Sequence, residues 1–369
     1  MLRFRSSYAA FALSIGASAS LLSGCGGGGS SSQPVPRQTD SPTSAGIESI
    51  ASANAALAAG GGCGLRAVFV YRTGTARGYP LDASGETQPC AVIPVSNVWG
   101  PISVSRYGYV HVAAFQTGTS SYPVFAPNAN GKAVPVRLVT AQIDRYSLAT
   151  DSRVTDYIAD GTNRAFCWEV AVAIGDGSTF QDCTSEYTAQ VQALAAEPDD
   201  RLVVVMSDYT TPPRVELYTN ASSAAPQLAQ TITGAATLLP AAAVEFGATT
   251  DPANGDIYVY AAGPSVAPQV SVYASNANGN VAPRRVLTVP NATGAPGGPR
   301  GASTNVLAVD DRGQLYLALR NNAIVQIYAA GASGNAAPVR TITDASAPTT
   351  YAGFSNDLPT SVAIRTSIR

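Results

Sequence analysis

The sequence predicts an all-β fold, a β-propeller of six four-stranded antiparallel blades, with seven as the alternative count. Three observations predict it. A strand–turn–strand segment recurs along the chain, a second hairpin pattern alternates with it, and together they fill about fifty residues, the period of a propeller blade. Composition agrees. Of 369 residues, 34 are Gly and 25 are Pro, and only 12% are charged. That is too apolar for a disordered chain and too rich in turn formers for a helical one. Formal net charge is −2, with no basic block and no acidic tail. Nucleic acid is therefore not an expected partner, because phosphate binding needs a clustered basic face.

In chain order, Arg3 and Arg5 precede the apolar run Ala9–Leu22, which has signal-peptide length and is too short to span a bilayer. The run ends in Leu22-Ser23-Gly24-Cys25. This resembles the lipobox of bacterial lipoproteins, in which small residues precede a cysteine. The resemblance implies a signal peptide over 1–24, cleavage before Cys25, and lipid on the Cys25 sulfur and its new amino group. Several acyl chains together anchor stably to a membrane. Gly26 stands where such lipoproteins carry Asp for inner-membrane retention, so the expected location is the outer membrane of the cell envelope, facing either side. Gly26–Ser32 reads as a flexible tether, and residues 25–62 as lipidated cysteine plus linker. Within it Ile47, Ile50, Ala51, Leu57 and Ala58 fit one helical face, interrupted at Asn54; a short docked helix and an unstructured tether both fit.

The propeller is expected over residues 63–369. Its outer hairpin is clearest at 270–289 and 325–344, and again at 125–140. In each copy Pro follows an aromatic by ten positions (Phe125/Pro135, Tyr273/Pro283, Tyr328/Pro338), and Arg follows Pro by two (Arg137, Arg285, Arg340). A fourth copy, 215–233, has shifted its Pro, and Val68–Tyr71 reads as a fifth with a longer loop before Pro89. Apolar residues alternate at period two, and Asn-Gly or Gly-Asn supplies the left-handed turn positions. Proline gives up one ladder donor, which is tolerable near a strand end. The second pattern, strand, polar turn and apolar strand, is clearest at 305–319 and 243–261 and weaker at 102–113, 146–159 and 191–206. The C-terminal Ser361–Arg369 reads as an innermost strand lacking its hairpin, and the first hairpin lacks inner strands. Joining the two closes the ring.

Four cysteines remain in an exported chain, which suggests two disulfides. Of three pairings, Cys167–Cys183 is favoured because Gly175-Asp176-Gly177 can turn a hairpin between them; Cys63–Cys90 follows by elimination. No C-x-x-C signature of zinc or thioredoxin-like redox sites is present.

The run "G-x-L-Y-x-A" followed by "I-x-x-Y-x-x-x-A-x-G-N-x-A-P-x-R-x-I" resembles the NHL-like and gluconolactonase-like six-bladed propellers over roughly residues 65–369. That class contains hydrolases, binding platforms and exported lipoproteins, so the resemblance implies an architecture and leaves function open. Gluconolactonase-like members hold a divalent metal in the channel with carboxylate and amide side chains from several blades, and the resemblance does not carry those ligands onto particular residues of this sequence.

His111 is the single histidine, which removes multi-histidine metal sites and weakens a Ser-His-Asp proposal. Alternating with valines in Y109-V-H-V-A113, it reads as a half-buried strand residue. Asp310-Asp311-Arg312-Gly313 lacks the later carboxylates of a calcium loop and reads as a hairpin turn. No metal and no cofactor are expected. A ligand is expected on the face carrying the loops that enter inner strands and those that join second to third strands. There Asn163, Arg164, Asp208, Tyr209, Arg300, Arg320, Asn321, Tyr351, Phe354, Asn356 and Asp357 can stack on and hydrogen-bond a polar ligand. The expected function is a non-catalytic, membrane-anchored platform binding a protein, peptide or glycan, as a monomeric propeller. The alternative is a metal-dependent hydrolase or lactonase of the gluconolactonase-like class.

Overall fold

A computed structural model describes residues 55–56, 62–72, 74–95, 100–113, 121–140, 145–152, 154–160, 165–170, 178–179, 182–184, 189–197, 200–208, 212–223, 225–289, 306–319, 324–346, 350–351, 354–355 and 361–366. Blade 1 takes β1 (Ala67–Arg72), β2 (Thr75–Pro80) and, past the two-residue β3 (Gly85–Glu86), β4 (Ala91–Pro94). Blade 2 is β5 (Ile102–Val104), β6 (Val110–Val112), β7 (Ser121–Phe125) and β8 (Arg137–Thr140). Blade 3 is β9 (Arg145–Thr150), β10 (Thr155–Asp160) and β11 (Ala165–Val170), then, past β12 (Ser178–Thr179), β13 (Asp182–Cys183). Blade 4 is β14 (Gln190–Glu197), β15 (Arg201–Ser207), β16 (Arg214–Thr219) and β17 (Gln227–Ile232). Blade 5 is β18 (Glu245–Thr250), β19 (Ile257–Gly263), β20 (Val266–Tyr273) and β21 (Arg285–Thr288). Blade 6 is β22 (Leu307–Val309), β23 (Leu315–Leu319), β24 (Ile324–Tyr328) and β25 (Arg340–Thr343). A small hairpin, β26 (Thr350–Tyr351) with β27 (Phe354–Ser355), follows, and β28 (Ser361–Arg365) returns to pair with β1 as the innermost strand of blade 1. Six blades and closure by the C-terminal strand are as the sequence predicts.

One expectation is corrected. Val68–Tyr71 lies in β1, which sits between β28 and β2 and is therefore a second strand; the outer pair of blade 1 is β2 and β4. Second and third strands share the same alternation of β-branched and aromatic residues, so the pattern alone cannot tell them apart. Of the segment 47–58 only residues 55–56 are described, and they are helical.

Period-two alternation places both faces of each middle strand in apolar surroundings. In β19, Ile257, Val259 and Ala261 pack against blade 4, whereas Tyr258, Tyr260 and Ala262 pack against blade 6. Six such clusters occupy the six junctions of the ring. The repeated aromatics are their anchors: Phe125, Tyr218, Tyr273 and Tyr328 each lie at or next to the end of a third strand and pack toward the preceding blade. The repeated Pro sits one residue before the first ladder bond, and the next residue donates inward, as in Arg284 N to Val272 O at 2.7 Å and Val339 N to Ile327 O at 2.8 Å.

The Asn-Gly turns do more than reverse the chain. In blade 5 the Gly279 amide donates to Thr231 O (2.7 Å), Thr233 N donates to Gly279 O (3.1 Å), and Asn278 Oδ1 accepts from Thr231 N (2.9 Å). These bonds place the turn of one blade on the outer strand of the blade before it. Gly334 does the same to β21, bonding Val286 O and Thr288 N at 2.7 Å each, and Gly131 with Asn130 to Val92 of β4. Two-residue parallel strands take the same position elsewhere, β3 on β25 and β12 on β8. Gly279 has φ 77° and open space where a Cβ would stand. Gly279→Ala is therefore expected to cost about 1–2 kcal/mol through backbone strain alone. Urea unfolding checks this, and unchanged stability would show that the turn does not hold its left-handed conformation.

Both favoured disulfides are present, Cys63–Cys90 and Cys167–Cys183. The second joins directly opposed residues of β11 and β13 and ties down the shortest outer strand of the ring.

Candidate functional site

Each inner strand has a neighbour on one side only, so six free edges turn toward the axis. They enclose a channel of about 260 Å³. Its described lining is Ala, Val, Leu, Ile and Pro, with hydroxyls at Ser103, Thr150, Thr249, Thr250 and Thr366; none of it is an acid, a base or an amide side chain. Among the described residues no group of three or more His, Cys, Asp or Glu side chains converges as a metal requires. The described channel thus does not fit the divalent ion held by gluconolactonase-like propellers, whose sites are built from oxygen donors.

Of the predicted ligand face, few residues fall within the described set. Asp208 follows β15 and is half-buried. Tyr351 and Phe354 are directly opposed in the β26–β27 hairpin, between blade 6 and the closing strand. Asn163, Arg164, Tyr209, Arg300, Arg320, Asn321, Asn356 and Asp357 lie outside the described residues, as does Cys25.

His111 departs from expectation: it is wholly buried and paired. Its Nδ1 stands 2.8 Å from Asp156 Oδ2 of blade 3. The same oxygen accepts from the Tyr122 hydroxyl at 2.7 Å, Asp156 Oδ1 accepts from Thr150 Oγ1 at 2.7 Å, and Arg137 Nη2 lies 3.7 Å away. Burial pushes the Asp156 carboxyl upward, but His111, Arg137 and the hydrogen bonds outweigh it and hold the group below the usual carboxylate range. The cluster ties blade 2 to blade 3. Asp310 is likewise a turn residue, as predicted: its Oδ1 accepts from Arg312 N (2.9 Å) and Gln314 N (2.8 Å).

A second cavity, of about 460 Å³, opens where the ring closes between blades 6 and 1. Arg66 enters β1 beside the end of β28, Leu81 and Asp82 follow β2, and Asp310, Arg312 and Gln314 form the β22–β23 turn. Tyr316 of β23 and Arg340 of β25 complete the lining. These segments belong to the face of first-to-second and third-to-fourth strand turns, opposite the face favoured from the sequence. Arg66 forms a two-pronged pair with Asp311 (2.7 and 2.8 Å) that raises its own pKa and lowers the carboxyl's. Arg340 Nη1 donates to Leu81 O and Ala83 O (3.1 and 3.2 Å), and its Nη2 to Gln314 Oε1 and the Tyr316 hydroxyl (3.0 and 3.2 Å). Burial, with Asp310 nearby, pushes the Tyr316 hydroxyl up to about 12, so it remains a hydrogen-bond donor at neutral pH. The repeated Arg340 was legible as part of the blade motif. Its convergence with Arg66 was not, since no local pattern brings together residues that far apart in the chain.

No known family matches the sequence, and no curated protein does. Among solved structures, the WD40 domain of Toxoplasma gondii coronin is similar, at 11% identity and a TM-score of 0.45, over 77% of this chain and 70% of that one.

Proposed function

We propose that the protein is a non-catalytic binding platform of the bacterial cell envelope, held at the outer membrane by lipid on Cys25, with a peptide, protein or glycan as its ligand. The observation that carries this reading is the contrast between the channel and the ring-closure cavity. The channel, where a propeller hydrolase would assemble its metal and acid–base groups, has a described lining of aliphatic and hydroxyl side chains. Polar groups gather instead at the ring-closure cavity, whose arginines and carboxylates are donors and acceptors for recognition. The anchor rests on the lipobox-like Leu22–Cys25 and the Gly/Ser segment after it.

Purified full-length protein incubated with lactones and aryl esters, with and without added divalent metal, is expected to give no turnover above the buffer rate. Metal-dependent turnover would move the protein to the hydrolase alternative. Metabolic labelling with a palmitate analogue is expected to mark the wild type and not Cys25→Ala; equal labelling removes the anchor.

A further inference from the structure

We infer that the ring-closure cavity between blades 6 and 1 is a site for a small zwitterion, an amino acid or short peptide with both termini free. The inference rests on the binding-platform reading and names the ligand class. Its volume of about 460 Å³ lies within the range of small-molecule sites.

The fold has already paired most of the charges in this cavity. Arg66 is neutralised by Asp311. Arg340 spends its Nη groups on two carbonyls, Gln314 and Tyr316. Asp310 has Oδ1 filled by two backbone amides and Oδ2 at 3.4 Å from the Tyr316 hydroxyl. Arg312 and Asp82 remain. Both are exposed lining residues, and neither side chain makes a hydrogen bond or ion pair with any described residue, although Arg312 adds at longer range to the field that lowers the Asp311 carboxyl. One unused guanidinium and one unused carboxylate in the same cavity are complemented by one carboxylate and one ammonium. The guanidinium fork matches a carboxylate in two-point geometry, and Asp82 accepts from an ammonium.

Charge balance separates this ligand from others. Three arginines (66, 312 and 340) face three aspartates (82, 310 and 311) in and beside the cavity, so the site is neutral as built. A zwitterion keeps it neutral. Phosphate would bring about two negative charges and leave them uncompensated. A neutral sugar would leave Arg312 and Asp82 unmatched, and among the described lining residues the one aromatic, Tyr316, is wholly buried and offers no open ring face for stacking.

The test is a titration of full-length protein with Ala-Ala-Ala, its N-acetyl form, its C-terminal amide and inorganic phosphate, followed by calorimetry. The uncapped peptide is expected to bind saturably, and blocking either terminus to weaken binding about tenfold, the size of one charge-assisted hydrogen bond. In Arg312→Gln the amide is expected to bind as well as the free acid, and in Asp82→Asn the acetylated form as well as the free amine. Both positions are exposed and unbonded, so both variants are expected to keep the wild-type unfolding transition. The inference is overturned by absence of saturable binding, by equal affinity of capped and uncapped peptides, by phosphate binding more tightly than the peptide, or by variants that leave the end-group preference intact. None of these outcomes bears on the lactone assay, so loss of this site and loss of the platform reading are separate results.

Discussion

Deleting Ser361–Arg369 is expected to abolish cooperative folding altogether. The loss begins with the five paired residues between β28 and β1, from Ala67↔Arg365 to Tyr71↔Ser361. It continues into both flanking junctions, where Val362 and Ala363 are core residues. Ser361 Oγ also accepts from Ile102 N of blade 2 at 2.9 Å. Arg365 then adds a lock of its own. Its guanidinium donates to the carbonyls of Gly108, Pro127 and Gly64 and lies 5.2 Å over the Phe69 ring. Burial, without a carboxylate partner, pushes its pKa down to about 10, so it remains charged at neutral pH. Each buried carbonyl left without its donor costs about 1–3 kcal/mol. Together with the opened junctions this reaches the whole stability of an ordinary domain, about 5–15 kcal/mol. Calorimetry of the truncated protein should show no cooperative transition; a melting temperature within a few degrees of the parent would mean that the ring holds without its closing strand.

Asp156→Asn is expected to lower stability by about 3–5 kcal/mol at pH 7, the cost of removing one partner from a buried ionic cluster. Asp156 is buried and answers His111, Tyr122, Thr150 and Arg137 at once. The pH dependence has a definite sign. The folded carboxyl titrates below its unfolded value, which lies at about 4. The stability it contributes is therefore complete above that value and lost as pH falls through the lower, folded one. Urea titrations at pH 7 and pH 3 should show the gap between wild type and Asp156→Asn narrowing at the lower pH. A gap of equal size at both would assign the effect to packing.

The blades were legible because their signals are local. Phe125, Tyr273 and Tyr328 stand ten residues before a proline, and each lands at a blade junction. Gly175–Gly177 suggested the hairpin that joins Cys167 to Cys183, and the lone C-terminal strand suggested closure. What stayed hidden was contact between blades. Asn278-Gly279 reads as a turn whether or not its amides reach a neighbour. His111 looked half-buried because its valine neighbours say nothing about Asp156, 45 residues on. The ring-closure cavity depends on Arg66 meeting Asp311, 245 residues apart. The sequence points to ligand candidates in the loops that do not repeat, whereas the ring-closure cavity is built largely from strand-joining turns.

The placement of each turn on the preceding blade has a further consequence, for association between molecules. A bare outer strand is a template on which a second chain can add a strand and seed aggregation. Here β4, β8, β17, β21 and β25 each carry backbone contacts from the following blade, and β13 is only two residues long. Among the described residues, each outer strand of the rim is thus either partly covered by the next blade or only two residues long, which shortens the edge open to another copy.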